Sequence, residues 1–309
     1  MKDRIEYSIA RLLIGLFQLV PYRISVQLGV SLGTVFYLID KRHRQIALNN
    51  LRTSFKEEKS EREIRRIALS SFQNMGRAVV EFACLPKWTD EEVKEKVKID
   101  GLEHILSAQK CGKGMILLSA HFGNWEWMAV GLAARGVPMH VVARRMDNRY
   151  IDQMIQKWRS RFGNSVFNKQ KTPAAEIVAL LREGGTVGFL LDQNTAIYEA
   201  VFVDYFGRKA ATHKGLAILA LRTGASVVPV FFIRTKEGPR IVIEKALELT
   251  RTGILKQDVV NATALFTQKI ESFVRQHPDH WLWVHRRWKT RPPHSSFDNM
   301  DVQANAGHE

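Results

Sequence analysis

Two apolar runs, Leu12 to Val20 and Ile24 to Ile39, open the chain, separated by Pro21, Tyr22 and Arg23. A helix needs about 20 apolar residues to span the hydrocarbon core of a bilayer. Neither run reaches that length cleanly, because Gln18, Arg23 and Gln27 interrupt them. The pattern predicts membrane-associating helices that lie in the interface or form a shallow hairpin; a pair of buried helices in a soluble protein would give the same pattern. Lys41, Arg42, His43 and Arg44 follow, and such a basic cluster favours anionic headgroups on the cytoplasmic side. A cleaved secretory signal is disfavoured, since Lys2 and Arg4 supply a charged end but no small-residue cleavage site closes the first run.

Between Ser60 and Cys84, Ile64, Ile67, Ala68, Phe72, Met75 and Val79 recur at helical spacing. After Trp88 the rhythm changes to short β-branched runs alternating with amphipathic stretches. Strands are predicted at 97–99, 115–118, 139–142, 186–191, 227–233 and 240–243, with helices around 125–135, 151–161, 173–182, 213–223 and 259–276. This alternation implies an α/β fold with a mostly parallel central sheet flanked by helices, its functional site at the carboxyl ends of the strands. The stretch 294–309 has almost no apolar content and is predicted to be a disordered tail. The chain therefore divides into a membrane-associating segment 1–40, an α/β domain 41–293 and the tail 294–309.

Length and composition narrow the functional classes. The 309 residues suffice for one large domain. Forty-six Lys and Arg against 31 Asp and Glu give a net charge of +15, which calls for an anionic partner: nucleic acid, anionic lipid or an acidic carrier protein. The nucleic-acid reading lacks a helix-turn-helix, an RNP aromatic pair or a zinc finger, and the charge is spread rather than striped. Cys84 and Cys111 have no framework spacing, which fits a reducing compartment. The ten histidines are scattered, with neither HExxH nor CxxC, so no metal and no cofactor are predicted.

The candidate chemistry lies in Gly114 to Glu126, where an apolar strand runs into a loop and then a helix. His121 leaves the strand end, and Glu126 falls in the first turn of a helix begun near Asn124, a good N-cap where the helix dipole favours a carboxylate. Five residues on one continuous helix turn through about 140°, so a loop is needed to bring the pair together. A carboxylate on one imidazole nitrogen fixes the tautomer and leaves the other nitrogen to take a proton from a hydroxyl. A satisfied structural histidine is the competing reading of the bare pair.

The block His121-Phe122-Gly123-Asn124-Trp125-Glu126 resembles the HxxxxE site of the bacterial lipid A biosynthesis acyltransferases. The resemblance continues through Arg144 to Asn148, Arg161 to Gly163, Leu190 to Asn194, Val201 to Gly207 and Ala225 to Val230, and closes with Trp281 to Pro292. It implies a glycerolipid-acyltransferase-like fold and a cell inner-membrane enzyme at the cytoplasmic face. It also implies acyl carrier protein thioester as donor, a lipid-linked sugar as acceptor, and neither metal nor cofactor. By the same resemblance His121 is the general base and Glu126 its charged partner, with Arg144, Arg161 and Asp192 as substrate-binding positions. Asp192 equally suits a turn cap and Arg161 a helix end. Leu191-Asp192-Gln193-Asn194 stands where related glycerolipid enzymes carry an FPEGTR-like phosphate block, which argues for a sugar hydroxyl over glycerol phosphate. The alternatives are an acyl-CoA-dependent acyltransferase of another glycolipid, such as a phosphatidylinositol mannoside, and a basic nucleic-acid-binding protein.

Overall fold

The computed structural model describes residues 1–168 and 173–293; the tail expected at 294–309 lies outside them. In chain order the elements are α1 (Lys2–Leu19), α2 (Tyr22–Ile39), α3 (Lys41–Phe55), α4 (Glu61–Cys84), α5 (Asp90–Lys96), β1 (Lys98–Asp100), α6 (Leu102–Lys110), β2 (Met115–Ser119), α7 (Trp125–Ala133), β3 (His140–Ala143), α8 (Arg149–Ser160), β4 (Ser165–Asn168), α9 (Ala174–Arg182), β5 (Thr186–Leu190), β6 (Ala200–Tyr205), β7 (Arg208–His213), α10 (Gly215–Thr223), β8 (Ser226–Thr235), β9 (Gly238–Ile243) and α11 (Leu255–Gln276).

Seven strands form one sheet in the order β1-β9-β8-β2-β5-β3-β4. Neighbours run parallel except β8 and β9, which are antiparallel. The mostly parallel sheet flanked by helices is thus present as the pattern implied. β2, near the middle, is buried at every residue, as a strand covered on both faces must be. Ile116 and Leu118 point into a core shared with α3, α4, α9, α10 and α11, whereas Met115 and Leu117 point into a second core with α5, α6 and α7. Local signals start the helices that cover these faces. Ser60 and Glu63 form a capping box at α4, and Thr89 and Glu92 form one at α5.

The hydrophobic rhythm did not reveal β4, a short edge strand with only Val166 and Phe167 apolar, nor the antiparallel hairpin β6–β7. The hairpin reverses at Phe206 and Gly207, both with positive φ, a turn signal that the surrounding aromatic residues mask.

The two N-terminal helices belong to the folded body. α2 buries only Ser25, Gly29 and Gly33, and it does so by lying backbone to backbone on α4. A Cβ at Gly33 would sit 2.2 Å from the carbonyl oxygen of Phe72, and one at Gly76 would sit 2.2 Å from that of Gly29. Phe36 and Tyr37 both pack on Phe72 with ring centroids 5.4 Å away. The expected boundary at residue 40 is therefore a short link between α2 and α3 and no break in packing. α1 buries no residue fully, and Leu12, Leu16, Leu19, Leu28, Leu32 and Leu38 remain 44–82% exposed. Among the described residues α2 is the one helix long and apolar enough to cross a bilayer.

The seam yields opposite outcomes for two similar changes. Gly33→Ala drives a methyl into backbone and should destabilise the protein by about 1–3 kcal/mol. Gly15→Ala, with nothing within 4 Å of the new Cβ, should be neutral or stabilising by up to about 1 kcal/mol. Thermal unfolding of the two variants in the same detergent checks the sign of each.

Candidate active site

β2 and β5 are parallel neighbours with Ser119 level with Leu190. The pairing continues one step further, since the Leu191 N–H donates to the Ser119 carbonyl at 3.1 Å. One more residue along each chain stands His121 beside Asp192. Their side chains meet, His121 Nδ1 to Asp192 Oδ1, at 2.9 Å. The second carboxylate oxygen accepts from the indole N–H of Trp281 at 2.8 Å. Asp192 is only 2% exposed at its side chain and His121 is 21% exposed, so the acid is sealed in and the imidazole faces outward.

The electrostatics follow from this burial. Desolvation pushes the Asp192 carboxyl up, but the imidazolium charge and the hydrogen bonds from His121 and Trp281 outweigh it and hold the pKa at about 2. Desolvation likewise disfavours protonation of His121, yet Asp192, and after it the charge of Glu126, raise its pKa above the ordinary 6.5. With Nδ1–H committed to Asp192, Nε2 is the nitrogen free to accept a proton. The Gln193 amide nitrogen lies 3.4 Å from it, and Trp125 stands edge-on with ring centroids 5.0 Å apart.

The loop between β2 and α7 is fixed from both sides. Gly123 adopts φ +59°, and a Cβ there would meet the Phe232 carbonyl oxygen at 2.2 Å, so only glycine fits. Its N–H donates to the His280 carbonyl at 2.8 Å, and the His121 carbonyl accepts from Leu282 N–H at 3.1 Å. Asn124 caps α7 by accepting from Trp127 N–H at 3.1 Å and donates its own amide to Glu81 at 2.8 Å.

The expected acid partner of His121 is thereby replaced. The Glu126 carboxylate is engaged by Arg159, Nε to Oε2 at 2.9 Å with a second bond from Nη2 to Oε1. α7 begins at Trp125, so Glu126 projects from its first turn toward α8, and the neighbouring strand supplies Asp192 to the imidazole instead. Asp192, expected to touch substrate, is buried behind His121. Arg144 lies just beyond β3, is 67% exposed at its side chain and pairs with Asp147 at 3.2 Å. Arg161 caps α8, donates to the Pro86 carbonyl and lies over the Phe162 ring at 5.4 Å. The described contacts of these two arginines join neither to His121. Sequence reasoning passed over Arg159, which reads as one more polar position of an amphipathic helix, and Gln193. For Trp281 only its neighbour in space, Asp192, makes its N–H significant. Among the described residues no group of three His, Cys, Asp or Glu is arranged to hold a metal ion.

The sequence model of the bacterial lipid A biosynthesis acyltransferases matches residues 5–290. The chain belongs to this family. It is an acyltransferase, and it is similar to the lipid A biosynthesis lauroyltransferase of Escherichia coli K12, with 29% identity over 295 residues covering 93% of each chain. It is 28% identical to the lipid A biosynthesis palmitoleoyltransferase of the same organism over 88% of this chain and 87% of that one. A more distant relative is the phosphatidylinositol mannoside acyltransferase of Mycobacterium tuberculosis, 25% identical over 71% of this chain and 69% of that one.

The raised His121 and depressed Asp192 fix a sign for pH dependence. The His121 contribution to stability is complete below its unfolded value near 6.5 and is lost as pH rises through the higher folded value. The Asp192 contribution is present above its unfolded value near 3.8 and is lost as pH falls toward about 2. Asp192→Asn should therefore destabilise most between about pH 4 and 6.5, with the deficit shrinking at alkaline pH. Unfolding midpoints of wild type and variant across pH 4 to 9 check this; a deficit that grows steadily toward alkaline pH would contradict the raised His121 pKa.

Proposed function

We propose that the protein transfers a fatty acyl chain from an acyl carrier protein thioester to a hydroxyl of a lipid A precursor or similar glycolipid, at the cytoplasmic face of the inner membrane. The observation that carries this reading is the His121–Asp192 pair at adjacent strand ends, with Nε2 left open, in a chain of this family. The acceptor hydroxyl loses its proton to His121 Nε2 as its oxygen attacks the thioester carbonyl. The imidazolium so formed is stabilised by Asp192 directly and by Glu126 at longer range. It then returns the proton to the departing thiol as the tetrahedral intermediate collapses. Of the first-turn N–H groups of α7, that of Trp127 is taken by Asn124, and those of Trp125 and Glu126 are the natural donors to the oxyanion. Glu126 and Arg159, 15% and 22% exposed at their side chains, form a fixed polar wall beside the imidazole. Arg144 and Arg161 are assigned to the polar part of the acceptor by resemblance.

The exposed leucines of α1 and α2 support burial in one leaflet, and Lys41, Arg42 and Arg44 favour anionic headgroups there. The net +15 suits an acidic carrier protein as donor. The similarity to a mannoside acyltransferase keeps an acyl-CoA donor and a mannolipid acceptor as the second reading. Family membership leaves no observation in favour of nucleic acid.

Two experiments test the reading. In single turnover, folded His121→Ala should slow acyl transfer by about 10²- to 10⁴-fold or more, with a lowered unfolding midpoint because Asp192 loses a partner, and Glu126→Gln should also slow it with the fold intact. Near-normal transfer by folded His121→Ala would refute the general-base role. With wild type, the carrier-protein thioester should outperform acyl-CoA at low ionic strength and lose that advantage as salt rises; equal use at every salt concentration favours the second reading.

A further inference from the structure

On the other side of β2 from Asp192, the parallel strand β8 brings Arg234 to the same end of the sheet. Arg234 and Glu81 form a two-pronged ion pair there, at 2.8 and 2.6 Å, and are 13% and 5% exposed at their side chains. A cavity of about 300 Å³ opens beside this pair, between the start of α2, the C-terminal part of α4 and the start of α7. Its lining is unbalanced in charge, with Arg23, Arg77, Lys96 and Arg234 against the single carboxylate of Glu81. Glu81 is already engaged by both prongs of Arg234 and by the amide of Asn124. Arg77 makes no ion pair among the described residues, and burial and the neighbouring Arg234 charge both depress its pKa.

The hydrogen-bond inventory points the same way. Arg77 Nε, Arg234 Nε and Trp127 Nε1 are buried donors without a partner, and all three belong to side chains that line this cavity. Trp127 is only 2% exposed. Buried donors left unpaired are rare because each forfeits its hydration. Two buried guanidinium groups and an ammonium lining one space match an acceptor with several anionic oxygens.

We propose that this cavity is a binding site for a phosphate group, separate from the His121 centre. The cavity lining includes Tyr22, Arg23 and Val26 at the beginning of α2, the helix that exposes Leu28, Leu32 and Leu38. A phosphate on a membrane lipid would thus place its head in the cavity while its chains lie along the apolar face. Glu81 ties the cavity to the active-site loop through Asn124, the cap of α7. The inference does not depend on the acyl-transfer mechanism.

The test uses the full-length protein in detergent, titrated calorimetrically with inorganic phosphate and with short-chain phosphatidylglycerol at matched ionic strength. Saturable binding of one phosphate per chain is expected, weakened at least tenfold by Arg77→Gln. Tighter binding of the phospholipid assigns the site to a headgroup, and equal binding assigns it to a soluble phosphate compound. Arg77→Gln breaks no ion pair among the described residues, and its unfolding midpoint without phosphate checks that it folds. Should it fail to fold, Arg77→Lys keeps the charge, loses Nε and should still weaken binding. Absence of saturable binding, or binding that neither variant alters, would overturn the proposal and leave the three donors to water.

Discussion

A carboxylate that is 2% exposed is tolerable only if both its oxygens are engaged, and Asp192 meets that condition with partners from two distant parts of the chain. Removing either partner from a buried charge is strongly destabilising, so the positions of three segments are bound together: the end of β2, the end of β5 and the stretch around Trp281. That last stretch is held to the body by a dense set of polar contacts. Phe122 and Trp281 form an isolated bridge, and Asn50 of α3 donates to the carbonyls of Trp283 and His285 at 2.7 and 2.8 Å. Arg287, fully buried, donates to the Ala211 carbonyl at 2.8 Å and to the Thr212 hydroxyl at 2.5 Å. The C-terminal aromatic segment thus acts as a strap across the sheet end, and its Trp281 N–H helps hold the His121 imidazole through Asp192.

The same sheet end carries three carboxylates with three different occupations. Asp192 orients a histidine, Glu126 is clamped by Arg159, and Glu81 is shared between Arg234 and the Asn124 cap. The loop 120–124 passes among them and takes its shape from hydrogen bonds on both sides and from the one glycine that fits against Phe232. A basic chain thereby builds a site whose acids are individually satisfied, which fixes the imidazole orientation before any substrate arrives.

The N-terminal helices obey a different constraint. α2 gains its purchase through glycines that let it touch the α4 backbone, where bulkier residues would hold it away. Its leucines are consequently turned outward with those of α1, giving a contiguous apolar surface far larger than scattered exposed residues would. The packing that joins α2 to the body is therefore also what leaves these leucines exposed.

The sequence by itself determined the α/β alternation, the apolar strand that becomes β2, the Asn124 cap of α7, and the position of His121 at the end of that strand. Each depends on periodicity or on hydrogen bonds reaching three or four residues, so it is written locally. It did not determine which acid meets His121. Asp192 is 71 residues away and arrives through the adjacency and register of β2 and β5, which the packing of both helical layers selects together. Glu126, five positions from His121, is turned by the start of α7 toward an arginine 33 residues away. The residue types needed for the chemistry were legible in the chain; their pairing was decided by the tertiary structure, because a buried charge takes the partner that the folded sheet sets beside it, whatever the sequence places near it.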